Sequence, residues 1–337
     1  MNFFLGILSL IYGFFSMTRN WLYDRKWIRA TKLSVPVISV GNLTVGGTGK
    51  TPFTDFLISR CLSKSMRVGI VSRAYKAQAK KPVRVDASLP NAAYFFGDEP
   101  TLLAQKHSEA RVYVGRKKYE IALDLIRKEK VDVIVVDDGF QHRKLARTLD
   151  FVLLDATDSE ANYRWFPLGR GRESLKNLKR ADALVVTKSN LAEGTMIKKF
   201  RQEYPEKKLF NFDSVIESIV SVHDGSPILL DNLPKRVFMF CGLARPESFR
   251  SLLLLYRKDL QVDIKFFPDH HRYTADDVQL LIGLKTLRQS LFITTEKDAV
   301  KIKNIWPKDV PLAILRMGFE MKNSQQEFDE YIFQKLS

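Results

Sequence analysis

The most constraining feature of this chain is a glycine-rich turn that directly follows a short apolar run. The run is Val35–Val40, and the turn is the segment Val45–Thr51 with the sequence VGGTGKT. Glycine tolerates the backbone angles that let successive N–H groups point at phosphate oxygens, and the dipole of a following helix adds to the attraction. A strand that ends in such a turn and then opens a helix at Lys-Thr predicts a site for a nucleoside triphosphate.

Each residue of this phosphate loop has an expected role. The backbone N–H groups expected to surround the phosphates belong to four consecutive residues, Gly46, Gly47, Thr48 and Gly49. Lys50 would reach the β- and γ-phosphates, and the Thr51 hydroxyl would bind Mg²⁺. The strict pattern has glycine where this chain has Thr44, so the loop resembles the deviant loops of partitioning and signal-recognition NTPases, although those usually carry Lys at Val45. The alternative interpretation is a glycine turn without a ligand.

Length and charge restrict the class of protein. A chain of 337 residues suggests two domains, and its two cysteines, Cys61 and Cys241, are too far apart to indicate a disulfide framework or a zinc site. The net charge is +16, from 54 basic and 38 acidic residues. Such an excess favours an anionic partner: nucleic acid, an acidic membrane surface or a phosphorylated substrate. Simple solubility is the alternative, but it requires much less charge.

The N-terminus favours a membrane surface among these partners. Phe3–Met17 is an uncharged and mostly apolar stretch, too short for the roughly 20 residues that span a bilayer. Basic residues follow between Arg19 and Lys32, with Trp21, Tyr23 and Trp27 among them. This pattern is typical of a helix that lies in the cytoplasmic interface of an anionic membrane. A core helix that happens to begin the chain is the alternative.

The rest of the chain alternates between apolar runs and helical segments, which predicts an α/β fold: a P-loop NTPase-like parallel sheet flanked by helices. Around Phe210–Pro234 the pattern changes to short β-like runs with turn residues, and a second alternation follows. We therefore expect four regions: an interfacial helix and basic flank (1–30), a P-loop domain (31–210), a linker or hairpin (211–234) and a smaller C-terminal α/β domain (235–337).

Polar residues follow several predicted strands, at the sheet edge where ligands bind in such folds. Asp137 and Asp138 end the apolar run that begins at Val133, and two carboxylates beside Lys50 favour a metal ion. As a lone pattern this is weak, because Asp-Asp-Gly also simply ends strands. Asp98, in the turn Gly97-Asp-Glu-Pro, is a candidate base for phosphoryl transfer, and a helix cap is the alternative.

Three further segments carry polar residues. Gly169–Glu173 (GRGRE) suits close approach to anionic groups, although a basic loop without a ligand fits as well. The triplet Asp269–His271 could bind metal, support a base or cap a helix, and metal is the least favoured because adjacent histidines seldom bind one ion. Thr294–Asp298 ends another strand and could touch nucleotide or link domains.

Taken together, these segments resemble the tetraacyldisaccharide 4′-kinase family of the lipid A pathway in Gram-negative bacteria. The motifs that carry the resemblance occur in order: Ser39–Pro52 (SVGNLTVGGTGKTP), Val71–Tyr75, Gly97–Pro100, Val135–Leu145 (VVDDGFQHRKL), Phe166–Glu173, Phe267–His271 and Thr294–Lys301. Thr44 belongs to this pattern. Two positions depart from it, since the family usually has Gly at Ala74 and Arg-Asp at Arg147-Thr148.

The resemblance implies phosphorylation, by ATP and Mg²⁺, of the 4′-hydroxyl of an acylated glucosamine disaccharide 1-phosphate at the cytoplasmic face of the inner membrane. The residue roles that it implies are the following: Lys50 and Thr51 at the phosphates and Mg²⁺; Asp137, Asp138 and Glu173 at the metal; Asp98 as base with His270 orienting it; Arg172, Arg73 and His142 at phosphate and substrate.

Two other functions are alternatives to this one. A nucleotide-switch NTPase with a deviant loop, acting on a protein partner at the membrane, would hydrolyse nucleotide without an acceptor and would not need Asp98 or His270. A nucleic-acid-binding ATPase is disfavoured, because aromatic and basic residues concentrate beside the apolar N-terminus rather than in a nucleic-acid module. We therefore expect no nucleic acid partner, and the sequence leaves the oligomeric state open.

Overall fold

The structure is a computed structural model that describes residues 2–74, 77–192, 194–269, 271–284 and 291–336. The α-helices of these residues are α1 (Asn2–Asp24), α2 (Lys50–Ser63), α3 (Ala92–Phe96), α4 (Asp98–Lys106), α5 (Lys118–Lys128), α6 (Thr195–Glu203), α7 (Pro246–Tyr256), α8 (Ala275–Gly283), α9 (Glu296–Ile302) and α10 (Gln325–Leu336). Short 3₁₀ helices lie at Glu160–Tyr163, Leu175–Arg180 and Leu230–Asn232.

The strands form one sheet. They are β1 (Val37–Asn42), β2 (Val68–Arg73), β3 (Val83–Arg84), β4 (Arg111–Gly115), β5 (Val133–Asp137), β6 (Leu149–Asp155), β7 (Ala183–Thr187), β8 (Lys208–Ser221), β9 (Arg236–Cys241), β10 (Gln261–Phe266), β11 (Leu291–Thr295) and β12 (Leu312–Met321). Their order across the sheet is β10-β9-β11-β12-β8-β7-β6-β1-β5-β2-β4-β3. Pairing is parallel except for β12 with β8 and β3 with β4. The predicted α/β class, a mostly parallel sheet with flanking helices, is confirmed.

Strand β8 joins the two halves of the sheet. Its first residues pair in parallel with β7, and residues from Phe212 to Ser221 pair antiparallel with β12. The strand therefore crosses the predicted boundary near residue 211. The division into four regions stays a prediction, and β8 connects its second and fourth members without a break in the sheet.

The sheet places the phosphate loop and the acidic strand end beside each other. β1 is buried along its whole length between β5 and β6, and Val40 lies opposite Asp137 in the register of β1 and β5. Helix α2 packs its apolar face on this part of the sheet, with Phe53 in an aromatic cluster that includes Phe212 and Phe328. The carboxyl ends of β1 and β5 therefore meet at one edge.

Helix α1 is longer than the apolar stretch that predicts it. Its inner face contacts the segment before Glu173: Ser9 Oγ donates to Trp165 O (3.0 Å), and Ser16 Oγ donates to Arg172 O (3.0 Å). Large apolar side chains remain exposed on the helix, including Phe4, Leu10, Phe14 and Phe15. Within the described ranges, no helix combines the length and apolarity needed to cross a bilayer.

Candidate active site

The phosphate loop has a backbone that only glycine allows at two positions. Gly46 has a φ of 109° and Gly49 a φ of 81°, both in a region that disfavours other residues. At Gly49 an added Cβ would also lie 2.4 Å from Cζ of Phe319, on β12. Helix α2 begins directly afterwards at Lys50. The fold of the loop therefore favours glycine at both positions.

Contacts from outside the loop hold it in place. Val45 N donates to Arg170 O (2.7 Å), Lys188 Nζ donates to Gly47 O (3.2 Å), and Thr187 Oγ1 donates to Thr48 O (2.9 Å). The N–H of Thr48 itself donates to Gly46 O (3.0 Å). The loop carbonyls of Gly47 and Thr48 are thus bonded to side chains at the end of β7, which fixes the loop before any nucleotide binds.

Two cations converge on one carboxylate beside the loop. Lys50 Nζ lies 3.5 Å from Asp138 Oδ1, and the Arg172 guanidinium binds both oxygens of the same carboxylate, at 3.0 and 2.8 Å. Asn42, the last residue of β1, accepts a hydrogen bond from Lys50 Nζ through Oδ1 (3.2 Å), and Arg172 contacts the same amide oxygen. The structure therefore brings together Lys50, Asp138 and Arg172, which the sequence places far apart.

The two adjacent aspartates have opposite electrostatic environments. Burial raises the pKa of Asp137, and the neighbouring charges of Asp138 and Glu99 add to the rise. Burial also opposes ionisation of Asp138, but Lys50 and Arg172 hold the pKa of that carboxyl well below its usual value. Asp138 also has a φ of 50°, which turns the chain just after β5.

The residues at this edge fit a magnesium ion. Asp137 is buried and accepts from Ser72 Oγ at one oxygen (3.1 Å), while its Oδ1 has no hydrogen-bond partner among the described residues. Mg²⁺ takes oxygen ligands and commonly uses one or two carboxylates together with phosphates and water. The described residues contain no group of three or more His, Cys, Asp or Glu side chains suited to a metal ion, so phosphate and water would complete the coordination.

Asp98 begins helix α4 and meets residues from the far end of the chain. Its Oδ2 lies 3.4 Å from Nζ of Lys301, on α9, and Lys301 also pairs with Asp298 at 2.8 Å. Glu99 pairs with Lys297 at 2.7 Å, and Lys297 lies 3.5 Å from Asp269. Three of the sequence motifs therefore converge around Asp98. The predicted partner His270 lies outside the described residues.

Known proteins resemble this chain in sequence and in structure. The family described as tetraacyldisaccharide-1-P 4′-kinase matches residues 1–337. The chain belongs to this kinase family. It is 41% identical over 309 residues to the tetraacyldisaccharide 4′-kinase of Bdellovibrio bacteriovorus, which covers 91% of each chain. It is 35% identical over 333 residues to that of Desulfotalea psychrophila, covering 96% of this chain and 94% of the relative.

A solved structure agrees with this assignment over the whole chain. The structure of LpxK from Aquifex aeolicus in complex with ATP superposes with a TM-score of 0.76 at 30% sequence identity, covering 100% of this chain and 99% of that one. The predicted family and the predicted kinase activity in lipid A biosynthesis are confirmed.

Two residues predicted to meet phosphate or substrate in this tetraacyldisaccharide 4′-kinase lie at the same edge. Arg73 ends β2 and its side chain is exposed. His142 follows the Asp-Asp-Gly turn, where burial and the charges of Lys118 and Arg73 lower its pKa to about 3. The imidazole is therefore neutral at neutral pH and can donate or accept a hydrogen bond.

Glu173 has protein partners for its carboxylate. Oε1 accepts from Arg19 Nη2, on α1, at 3.1 Å. Oε2 accepts from Asn177 Nδ2 at 2.7 Å and from Arg180 Nη2 at 2.5 Å. The side chain is fully buried in these contacts and joins α1 to the loop that carries Arg172. Its predicted role at the metal stays a prediction, and the contacts of the described structure are those of an anchor.

Sequence reasoning missed two residues of the site. Lys118 is buried and donates to the backbone carbonyls of Asp137 and Asp138 (2.5 Å to the latter), and burial lowers its pKa to about 8. The sequence pattern could have predicted that Lys118 is buried, because it lies at helical spacing from the buried residues Ile121, Ala122 and Leu125. The second is Asn42, a buried polar residue at the end of β1.

Proposed function

We propose that this kinase transfers the γ-phosphoryl group of ATP, with Mg²⁺, to the 4′-hydroxyl of a tetraacylated glucosamine disaccharide 1-phosphate. The observation that carries the proposal is the convergence of Lys50 and Arg172 on Asp138 beside the phosphate loop. The ATP complex of the structural relative from Aquifex aeolicus supports the choice of nucleotide. Backbone N–H groups of Gly46, Gly47 and Gly49, with the amino end of α2, would bind the phosphates. The Thr48 N–H, predicted to do the same, donates to Gly46 O and would have to exchange that bond for one to a phosphate.

Thr51, Asp137 and Asp138 would hold the magnesium ion. Bound there, Mg²⁺ would neutralise charge on the β- and γ-phosphates. Oδ1 of Asp137, which has no hydrogen-bond partner in the described part of the chain, supports this assignment. Glu173 is also predicted to shape the metal site, although its carboxylate contacts Arg19 and Arg180.

Asp98 would accept the proton of the 4′-hydroxyl. Its position in the first turn of α4 and its pairing with Lys301 support this role. His270 would orient Asp98 or raise its basicity, as the family resemblance implies. Arg172 would neutralise charge that develops on the transferred group, because its guanidinium already lies beside Lys50 and Asp138. Catalysis would then consist mostly of positioning and charge stabilisation.

Arg73 and His142 would contact the phosphate or sugar of the acceptor. Their charges and locations support this: Arg73 is a cation at the end of β2, and His142 is a neutral imidazole on the turn after Asp138. A cation and a neutral hydrogen-bonding ring together suit a phosphorylated sugar.

The kinase would act at the cytoplasmic face of the inner membrane, and the substrate and the N-terminus support this location. Exposed Phe4, Leu10, Phe14 and Phe15 on α1 support an interfacial helix, as does the exposed Trp27 in the basic flank. Such docking lets the sugar headgroup reach Asp98 while the acyl chains stay in or near the bilayer.

The test is incubation of the full chain with γ-labelled ATP, Mg²⁺ and the acylated disaccharide 1-phosphate. We expect label in the lipid phase only when the acceptor is present, and loss of transfer in Lys50→Ala. The nucleotide-switch alternative predicts release of labelled phosphate without acceptor and no labelled lipid. That result would overturn the proposal.

A further inference from the structure

A pocket of about 650 Å³ lies where the end of α1 and its basic flank meet the segment that follows β5. The basic side chains on its wall are Lys26, Arg29, Arg143, Arg147 and Arg180. Two acidic residues, Asp150 and Asp182, complete the charged lining. Among the described residues, this lining does not include Lys50, Asp98 or Asp138, so the pocket is separate from the candidate active site.

The acidic residues of the wall already have partners. Asp150 Oδ2 pairs with Arg147 at 3.0 Å. Asp182 accepts from the backbone N–H of Asp150 at 2.8 Å and lies 3.4 Å from Lys335 Nζ. Within the described ranges, Lys26 and Arg29 form no ion pair, and both side chains are exposed. The acidic residues therefore do not neutralise the two cations at the mouth of the pocket.

Arg180 shows that positive charge is in excess inside the pocket. Its guanidinium lies over the Phe140 ring, 4.2 Å from the centroid, and Nη2 pairs with Glu173. Nε and Nη1 are buried and have no hydrogen-bond partner in the part of the chain that the structure describes. An anion in the pocket would give these buried N–H groups an acceptor.

Two exposed tryptophans belong to the same segment as the pocket lining. Trp21 and Trp27 pack edge to face beside it, with ring centroids 5.2 Å apart, and both are substantially exposed. Tryptophan beside basic residues at the end of an apolar helix is typical of the membrane–water interface. Tyr23 and Ile28, from the same segment, line the pocket itself.

We propose that this pocket binds the phosphate headgroup of an anionic phospholipid of the bilayer. The inference rests on the interfacial docking of α1 described under the proposed function. The occupant is a bulk phospholipid rather than the substrate, because the lining lies outside the residues around the phosphate loop and Asp98. The site would add a saturable, local contact to the general attraction between a basic protein and an anionic surface.

Two single-charge variants of the same flank test the site. Arg29 lines the pocket, whereas Arg25 lies over the Trp21 ring and is absent from the lining residues. Binding of the full chain is measured on phosphatidylcholine vesicles with and without phosphatidylglycerol. We expect Arg25→Gln to weaken vesicle binding roughly fivefold, because it removes one charge from the electrostatic attraction between the protein and the anionic surface. Arg29→Gln should weaken vesicle binding by at least roughly a further fivefold, because it also removes a charge-assisted hydrogen bond. If the two variants lose the same amount of affinity, the proposal of a specific site is wrong.

A titration in neutral detergent distinguishes a phospholipid headgroup from the phosphate of the substrate as the ligand of the pocket. Short-chain phosphatidylglycerol added to the full chain should give one saturable binding isotherm by calorimetry, and Arg29→Gln should raise its Kd by at least roughly fivefold. A linear, unsaturable response would contradict the proposal. In the same detergent, the kinase KM for the disaccharide should be unchanged in Arg29→Gln. A raised KM would mean that the pocket binds the phosphate of the substrate, and would also overturn it. Absence of kinase activity in the unmodified chain would count against the proposed function alone.

Discussion

Arg172 and Asp138 form a bidentate ion pair across 34 residues of sequence, with Nη1 3.0 Å from Oδ2 and Nη2 2.8 Å from Oδ1. Lys50 lies 3.5 Å from the same carboxylate. Asp138 thus separates two cations that would repel each other at the phosphate loop. Since these cations keep the pKa of Asp138 low against the effect of burial, the carboxylate is ionised and ready to share a cation with ATP.

We predict that Arg172→Lys lowers kcat by at least roughly tenfold. Lysine keeps the charge but cannot bind both oxygens of Asp138 or contact Asn42 at the same time. The KM for ATP should change less, because Lys50 and the loop remain. Steady-state kinetics measure kcat and the KM for ATP separately and so check this difference. The matched control is Arg201→Lys, on the exposed face of α6, which should behave like the unmodified enzyme. An unchanged kcat in Arg172→Lys would refute its role.

Lys118→Met should destabilise the fold. The substitution keeps a similar volume but leaves the buried carbonyls of Asp137 and Asp138 without their donor, which costs about 2 kcal/mol of unfolding free energy. Denaturant unfolding measures the loss. Lys117→Met is the control, because Lys117 is an exposed neighbour and its change should stay within about 0.5 kcal/mol. Equal stability of the two variants would show that Lys118 does not support the turn.

His142 should make stability depend on pH. Its pKa is lowered to about 3 by burial and by Lys118 and Arg73, whereas an unfolded histidine titrates near 6.5. Between these values the unfolded state binds more protons, so the free energy of unfolding falls as pH falls from about 6.5 towards about 3. His142→Gln should remove a slope of up to about 1.4 kcal/mol per pH unit. Urea unfolding at several pH values checks this, and identical slopes would contradict it.

Glu173→Gln separates an anchor from a metal ligand. If the contacts with Arg19 and Arg180 define its role, the variant should lose about 3 kcal/mol of unfolding free energy, and the Mg²⁺ concentration for half-maximal activity should stay unchanged. If Glu173 shapes the metal site, the requirement for Mg²⁺ should rise. A Mg²⁺ titration of kinase activity, together with denaturant unfolding, distinguishes these outcomes.

Local signals made the phosphate loop and the acidic strand end predictable. Gly46 and Gly49 indicate a backbone turn by themselves, and carboxylates after an apolar run indicate the end of a buried strand. Both features can therefore be recognised without knowledge of distant residues. The partners of Glu173 are different, because Arg19 lies 154 residues away on α1. Only the packing of that helix on the loop before Arg172 reveals the contact.

Elements near the C-terminus are hard to recognise from the sequence for a related reason. Strand β12 contains Arg316 and Gly318 among its apolar residues, and the fully buried residues of α10 are Phe328 and Ile332. Both are stabilised by distant partners: β12 pairs with β8, and Phe328 packs against Phe53 and Phe212. The contact of Asp98 with Lys301 also depends on this part of the chain, since α9 and β12 lie beside each other in the fold.

The most direct test of the account is a single-turnover reaction of unmodified and Asp98→Asn enzyme with labelled ATP, Mg²⁺ and the disaccharide 1-phosphate. The product position is assigned by phosphorus–proton NMR, and ATP binding is measured on the same samples. We predict a new phosphate at the 4′-position with the unmodified enzyme, and loss of transfer with nearly unchanged ATP binding in Asp98→Asn. Phosphate at another position, or full transfer by Asp98→Asn, would contradict the account.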